Sequence, residues 1–301
     1  MIESDGSMEQ LWKVILMALL QGITAFLPVS ASGHNEVLRQ IIGLEFSNPL
    51  YLDIVLHFGV VLAVAAAFYK DTMRLIVDGT GIVFDGLYNS VTFIGNLFRG
   101  KEKARRYHQM IFTTGRKLWL LLTVSGLMSV LVGLILSGLE EVLISSFGVI
   151  GAGMIACAVV LYLCDDLNYG MKRIGEAEIL DAAVIGTAQG ISVIPGVSRF
   201  ALTLYLGLKC EFERGFAIKF SFLSMIAAST GALVLQWIRY GSAVVTSAEA
   251  LQCGIGFFVS FAVSILLIRP VLRWMLKHPL RGFAIYSLVS GAALVVAGII
   301  R

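Results

Sequence analysis

Charge is what this sequence has least of. Of its 301 residues only 14% are Asp, Glu, Lys or Arg, while 57% are hydrophobic and the mean hydropathy is +0.85. Soluble domains carry about 25% charged and about 45–50% apolar residues, so a water-soluble globular protein is excluded. The net charge of +3 gives no sign of a nucleic-acid binder. Cysteine is scarce as well. Cys157, Cys164, Cys210 and Cys253 lie in or at the ends of apolar runs without a CxxC pair, which speaks against a zinc site and a disulfide framework. They read as small packing residues. No secretory signal peptide is expected, because the first apolar run follows Glu3, Asp5 and Glu9 and ends in Phe26-Leu27-Pro28 without a small-residue cleavage site.

What is present is apolar sequence in long blocks, with 31 glycines of the kind that let membrane helices approach closely. A spanning helix needs about 20 apolar residues. Six stretches qualify: Tyr51–Tyr69, Leu118–Leu136, Ile144–Leu163, Phe216–Ile238, Ala250–Ile268 and Gly282–Ile300. Two regions are broken instead. Leu11–Leu27 runs into Pro28 and Ser30-Ala31-Ser32-Gly33, and Ile179–Ile194 runs into Pro195-Gly196 before the short Phe200–Leu208. Nine helical residues reach only ~14 Å. Interrupted helices at membrane depth occur where backbone is buried in protein or lines a cavity, so both regions read as re-entrant hairpins, 11–42 and 179–208.

Charge placement supports that reading over an ordinary first span at Leu11–Leu27. With two hairpins and six spans, the segments 70–117, 165–178, 209–219 and 269–281 share one side and hold 18 of the 23 Lys and Arg. Lys13, Arg39, Arg239 and Arg301 fall opposite. Cytoplasmic loops carry the basic excess, so both termini are expected outside a plasma membrane. Within 70–117, Asp78, Asp85, Asn89 and Asn96 form one helical stripe, an interfacial-helix pattern. The Arg99–Arg106 run reads as a solvated basic segment near anionic headgroups.

Displacing the chain by 168 residues lays Gln21-Gly22-Ile23-Thr24-Ala25-Phe26-Leu27-Pro28-Val29-Ser30 on Gln189-Gly190-Ile191-Ser192-Val193-Ile194-Pro195-Gly196-Val197-Ser198. Each copy covers a helix break, and three spans follow each. Three is odd, so the second hairpin enters from the opposite face. The fold class expected is an all-α polytopic membrane protein, six transmembrane helices plus two re-entrant helical hairpins in an inverted-topology repeat. Residues 1–164 make the first repeat and 165–301 the second, in one membrane domain. Such repeats place substrate sites where the broken helices meet.

At the second break Arg199 stands in apolar sequence, and an intramembrane ionisable residue is a functional candidate by default. A salt bridge to Glu36, Asp53 or Asp181 is one reading. An anionic ligand is the other, favoured by the hydroxyls of Ser30, Ser32, Ser198 and Thr203, by glycine backbone N–H groups such as that of Gly196, and by helix N-termini at the breaks. Guanidinium suits phosphate because its donors form a planar fork. His34, just after the first break, is either a satisfied polar residue or an acid–base group. Asp53 and His57, at i and i+4, have the spacing of a hydrogen-bonded pair.

The run from Gln21 to His34, with Pro195-Gly196-Val197-Ser198-Arg199 and Thr203, resembles the two signatures of the bacterial undecaprenyl-pyrophosphate phosphatases, the bacitracin-resistance family. Leu52–Gly59, Lys219–Leu223 and Phe283–Tyr286 echo it more weakly. The resemblance implies a hydrolase that removes the terminal phosphate of a polyprenyl diphosphate, recycling the lipid carrier of cell-wall synthesis. It implies Ser30, His34 and Arg199 as catalytic, with Gln21, Ser198, Thr203 and Gly196 around the phosphates. It also implies a divalent cation, Mg or Ca, whose ligands here are unknown. The expected partners are the lipid and the bilayer, with no nucleic acid; a homodimer stands open. This chain departs from the family pattern at Gln21 and Ala25, where the family has glutamates, and at Ala31, Phe200, Lys219 and Ser287. The departures leave a second function open: a catalytically reduced member that binds or translocates a polyprenyl phosphate.

Overall fold

Eleven α-helices carry the described part of the chain in the computed structural model: α1 (Ile2–Thr24), α2 (Ala31–Ile42), α3 (Pro49–Ala67), α4 (Tyr69–Leu97), α5 (Thr114–Leu143), α6 (Phe147–Asp166), α7 (Ile179–Ile191), α8 (Arg199–Lys209), α9 (Arg214–Tyr240), α10 (Ser247–Lys277) and α11 (Arg281–Ile300). Residues 2–99, 104–143, 146–167, 170–240 and 246–300 are described, without the side chains of 2–7, 49–50, 137–143 and 232–240. Lys101 and Lys103 of the basic run, Ile144 of the third expected span, Arg301 and the Arg239 side chain lie outside the described residues. Among the described residues, four helices are long and apolar enough to cross a membrane: α5 over Thr114–Leu136, α6, α10 and α11. A fifth arises if α3 and α4 are joined, but the chain bends by 92° between them, so the span expected over Tyr51–Tyr69 ends at Ala67.

The two interrupted regions are helix–break–helix units, α1/α2 and α7/α8, and each break is closed in the same way. Ser30 and Ser198 sit at the N-caps of α2 and α8, their hydroxyl oxygens accepting from the backbone N–H three residues on, Gly33 and Ala201. An N-cap hydroxyl satisfies one of the orphan N–H groups at a helix start. Gly43, at φ +57°, ends α2, and Gly196, at φ +86°, turns the second break.

Positions 168 residues apart on α1 and α7 pack in the same way, on residues 131 apart on α10 and α5. Gly22 of α1 lies against the Ser260 carbonyl and the Val263 side chain of α10, and Gly190 of α7 lies against the Ser129 carbonyl and the Val132 side chain of α5. One turn earlier, Ala18 approaches Gly256 while Gly186 approaches Ser125. Small residues let backbones come this close where no hydrophobic force drives association. α3 packs on α10 and α5 on α9, while α6 and α11 pack on each other through Gly151 and Gly291. The first helix of each helix–break–helix unit is therefore held by a long helix from the other half of the chain.

Candidate functional site

The two breaks meet in the middle of the fold. A Cβ on Gly33 would stand 3.1 Å from the Gly196 Cα and 3.1 Å from the Ile150 side chain, and Gly153 of α6 lies against the Pro195 carbonyl and Gly196. Ile150 and Gly153 of α6 thus form a floor on which both tips rest. Beneath them, Phe26 and Phe200 each pack on Phe222 of α9, with ring centroids 5.9 and 4.8 Å away.

Around this junction runs a chain of polar side chains inside apolar packing. Asn35 Nδ2 donates to Gln21 Oε1 at 2.5 Å, and Gln21 Nε2 lies 3.2 Å from His57 Nδ1. His57 Nε2 lies 2.7 Å from Ser229 Oγ and 3.3 Å from Arg199 Nη1. Arg199 donates from Nη1 to Ser229 Oγ at 3.2 Å and from Nε to Ser192 Oγ at 3.3 Å. Five helices (α1, α2, α3, α8 and α9) and the turn after α7 converge here. Gln21, Asn35, Ser192 and Ser229 are all less than a tenth exposed, so these bonds act in a low-dielectric setting where they are electrostatically stronger than in water. With Gln21 Nε2 facing it, Nδ1 of His57 accepts, and the ring proton sits on Nε2. Arg199 N–H and His57 Nε2–H then both donate to Ser229 Oγ, whose own proton is left for a further acceptor such as an anionic oxygen.

A second cluster lies beside the first break. His34 Nδ1 donates to the Ser30 carbonyl at 2.6 Å, leaving Nε2 to accept from the Tyr286 hydroxyl at 2.7 Å. The two rings stack at 5.7 Å. Ser30 Oγ also lies 3.3 Å from Ser32 Oγ.

Of the residues singled out from sequence, Gln21 and Arg199 are brought together through His57, Ser30 lies beside the tip contact at Gly33, and His34 turns to Tyr286 of α11. Gly196 forms the contact itself. Ser198 caps α8, and Thr203 turns its hydroxyl back to the Arg199 and Phe200 carbonyls of its own helix. The Asp53–His57 pair does not form. Asp53 and Glu36 both receive Arg39, at 2.5 and 3.2 Å, because that guanidinium lies one turn from Glu36 and opposite Asp53. Asp181 caps the start of α7 and lies 3.6 Å from Lys172. None of the three expected carboxylates is shown against Arg199. Asn35, Ser192 and Ser229 were not visible as site residues, since nothing in their neighbourhoods distinguishes them from packing polar groups. Gln189, the counterpart of Gln21, is 1% exposed with both amide atoms unpaired.

Three of the departures from the family pattern, Ala25, Phe200 and Lys219, have structural partners. Ala25 packs against the apolar core, and Phe200 fills space against Phe222. Lys219 pairs with Asp71 at 2.7 Å, tying α9 to α4. The donor set does not suit a hard divalent cation, which takes several oxygen ligands, carboxylates foremost. Gln21 Oε1 is already engaged by Asn35, Ala25 offers no donor, and no cluster of three His, Cys, Asp or Glu stands among the described residues.

Residues 14–293 match the family described as bacitracin resistance protein BacA. The chain is similar to an undecaprenyl-diphosphatase of Desulforudis audaxviator, 30% identical over 287 residues that cover 95% of this chain and 97% of that protein. It is also similar to those of Teredinibacter turnerae, 30% identical with 94% and 98% covered, and Desulforapulum autotrophicum, 28% identical with 97% and 99% covered.

Proposed function

The chain belongs to the bacitracin-resistance (BacA) family, and from that premise we propose that it is an undecaprenyl-diphosphatase, a multi-pass membrane hydrolase that removes the terminal phosphate of a polyprenyl diphosphate. The observation that carries this reading is the polar chain from Asn35 to Ser192, which reaches Arg199 at the contact of two helix breaks. In the reaction, an oxygen nucleophile adds to the terminal phosphorus. The bond from that phosphorus to the bridging oxygen breaks, and the lipid monophosphate leaves with the electron pair. Arg199 holds the phosphate with its planar fork, backed by His57 Nε2–H and Ser229. Ser30 positions the attacking water, or attacks itself to form a phosphoserine that a water then hydrolyses to free phosphate. His34 takes the proton at Nε2, the nitrogen that Tyr286 now faces, while its Nδ1–H on the Ser30 carbonyl fixes the tautomer. No step runs through a divalent cation, because the gathered donors do not suit one.

For the architecture, the reading is six spans with two re-entrant hairpins, built from an inverted repeat of 1–164 and 165–301. The matched pairs Gly22/Ser260 and Gly190/Ser129, the matched caps Ser30 and Ser198, and the contact of the two tips support it. The basic loops face the cytoplasm in this reading, and both termini lie outside.

The test is phosphate release from undecaprenyl diphosphate by the purified protein in detergent, beside Arg199→Ala. Release by the parent and its loss in the variant are expected. Undiminished release by Arg199→Ala refutes the site. No release by the parent, together with Arg199-dependent binding of the lipid, replaces the hydrolase with a polyprenyl-phosphate binder or translocator.

A further inference from the structure

Helix α4 is built inside out for a helix in water. At about 100° per residue, Asp78, Asp85, Asn89 and Asn96 share one face. That face is turned toward the protein: a Cβ on Gly115 of α5 would run into the Asp78 carboxylate, Asp85 receives Arg116 at 2.5 Å, and Gly79 lies against the Trp119 indole. Beyond the reach of α5, the same stripe holds the segment that follows α4. Asn89 accepts from the His108 N–H at 2.7 Å and donates to its carbonyl at 2.9 Å. Asn96 does the same for Arg105, at 2.8 and 3.0 Å. The two amides act like a partner strand, strapping 104–110 along the helix. Asp85 completes the strap by holding the His108 ring at 2.9 Å, where it stacks on Tyr88.

The opposite face is apolar and bare. Val77, Phe84, Leu87, Val91, Ile94 and Phe98 fall along it, each more than half exposed. Beside Trp119, α4 and α5 leave an apolar groove of about 330 Å³ that includes Leu75, Val83 and Phe84. Such a face needs an apolar medium. The 92° turn from α3 sends α4 across the axis of the preceding span. Arg99 beside the helix end, with Arg105 and Arg106 on the strap, is exposed, which matches anionic headgroups in charge.

We propose that α4 lies in the interfacial layer of the bilayer, its outer face and the Trp119 groove covered by lipid acyl chains and its strapped face turned to the protein and the headgroups. The spacing of Asp78, Asp85, Asn89 and Asn96 reads as an interfacial helix, and the structure gives that stripe to α5 and the strap. The proposal rests on the membrane reading alone and is independent of the phosphatase chemistry. Amphipathic helices of this kind sit about 5–10 Å into the headgroup–acyl boundary.

The experiment is nitroxide labelling of Phe84→Cys, Val91→Cys and, on the strap, Tyr107→Cys, in proteoliposomes containing anionic lipid, with the native cysteines replaced. Oxygen, which partitions into acyl chains, should relax the labels at 84 and 91 more than a water-soluble nickel chelate does, with the order reversed at 107. Stronger nickel relaxation at 84 and 91 overturns the proposal by placing the face in water. Labels shielded from both reagents and coupled between molecules overturn it in favour of a second copy of the chain. If the cysteine-free background does not fold, the fluorescence that Phe84→Trp and Val91→Trp add over the four native tryptophans of the parent chain gives the same answer. Quenching by brominated acyl chains supports the placement, and quenching by iodide alone refutes it.

Discussion

Gly196→Ala tests the meeting of the two breaks at its tightest point. The residue stands at φ +86°, where an L side chain costs roughly 1–2 kcal/mol. Its new Cβ would run into the carbonyl and Cα of Ile150. This is backbone in the first turn of α6, so it cannot swing aside as a side chain would. Overpacking of this sort costs about 1–3 kcal/mol. Together the two terms give roughly 2–5 kcal/mol, a large share of the ~5–15 kcal/mol by which folded domains are stable. The strain is relieved if the tip lifts off α6, and Arg199 lifts with it, three residues further on. Its bonds to Ser192 and Ser229, at 3.3 and 3.2 Å, are already at the long end and do not survive a further outward shift. Phosphate release should therefore fall by more than an order of magnitude in protein that is still folded, with a lower melting temperature in detergent. Gly254→Ala is the control. Nothing lies within 4 Å of a Cβ there, and the site is a helix interior, so the variant should melt at or slightly above the parent and keep its activity. A Gly196→Ala protein that melts and turns over like the parent would refute the reasoning, because α6 would then not be holding the tip.

Arg199→Lys keeps the charge and loses the fork. With charge-assisted hydrogen bonds worth about 1.5–3 kcal/mol, affinity for the diphosphate should drop roughly 10- to 150-fold, and calorimetric titration giving parental affinity would remove the bidentate role. EDTA should leave release within about twofold of its starting rate, since the site supplies no carboxylates for a hard cation; a large loss restored by Mg²⁺ would contradict the donor-set argument. Gln189→Met replaces a buried amide whose two polar atoms are unpaired, at about 1–3 kcal/mol for each unsatisfied group. A higher melting temperature is expected, and a lower one would mean that the amide is satisfied after all. The hydrogen bond from His108, with Arg116 beside it, holds the Asp85 carboxyl below the usual carboxylate range. The folded-state value is depressed, so this contribution is present above the unfolded value near ~4 and is lost as pH falls through the lower, folded one. Asp85→Asn copies the protonated state, and trypsin should cut at Arg105 and Arg106 faster in it than in the parent at pH 8; equal rates would mean that Asp85 does not hold the strap.

The breaks were legible because proline and glycine interrupt apolar runs, and the matching of Gln21–Ser30 with Gln189–Ser198 pointed to the place where they meet. Arg199 was legible as a lone cation in apolar sequence. Its surroundings were not. His57 and Ser229 reach it from α3 and α9, 142 and 30 residues away, and no local spacing encodes such a pairing. Asp53 and His57, at i and i+4, suggested each other, but tertiary partners prevailed over the helical spacing. The hydroxyls of Ser30 and Ser198 could have been assigned from sequence. A serine directly after a break and before a helix is first a cap, and the structure uses both in that way. The Glu36–Arg39 bridge at i, i+3 was equally open to reading. The outward apolar face of α4 was present in the pattern, but which neighbours took its polar face depended on the segment after the helix.

Because α1 is gripped by α10 and α7 by α5, the wait for a partner is unequal during synthesis. Gly190 of α7 finds Ser129 already made, about 60 residues behind it, whereas Gly22 must wait for Ser260, roughly 240 residues later. At about 5–20 residues per second, the first hairpin spends roughly 12–48 s without the helix that holds it. Over that interval Gln21 and the Gly22 face meet lipid or the insertion machinery rather than α10. Substitutions along α1 should accordingly burden biogenesis more than the equivalent changes along α7, even where the finished contacts are alike.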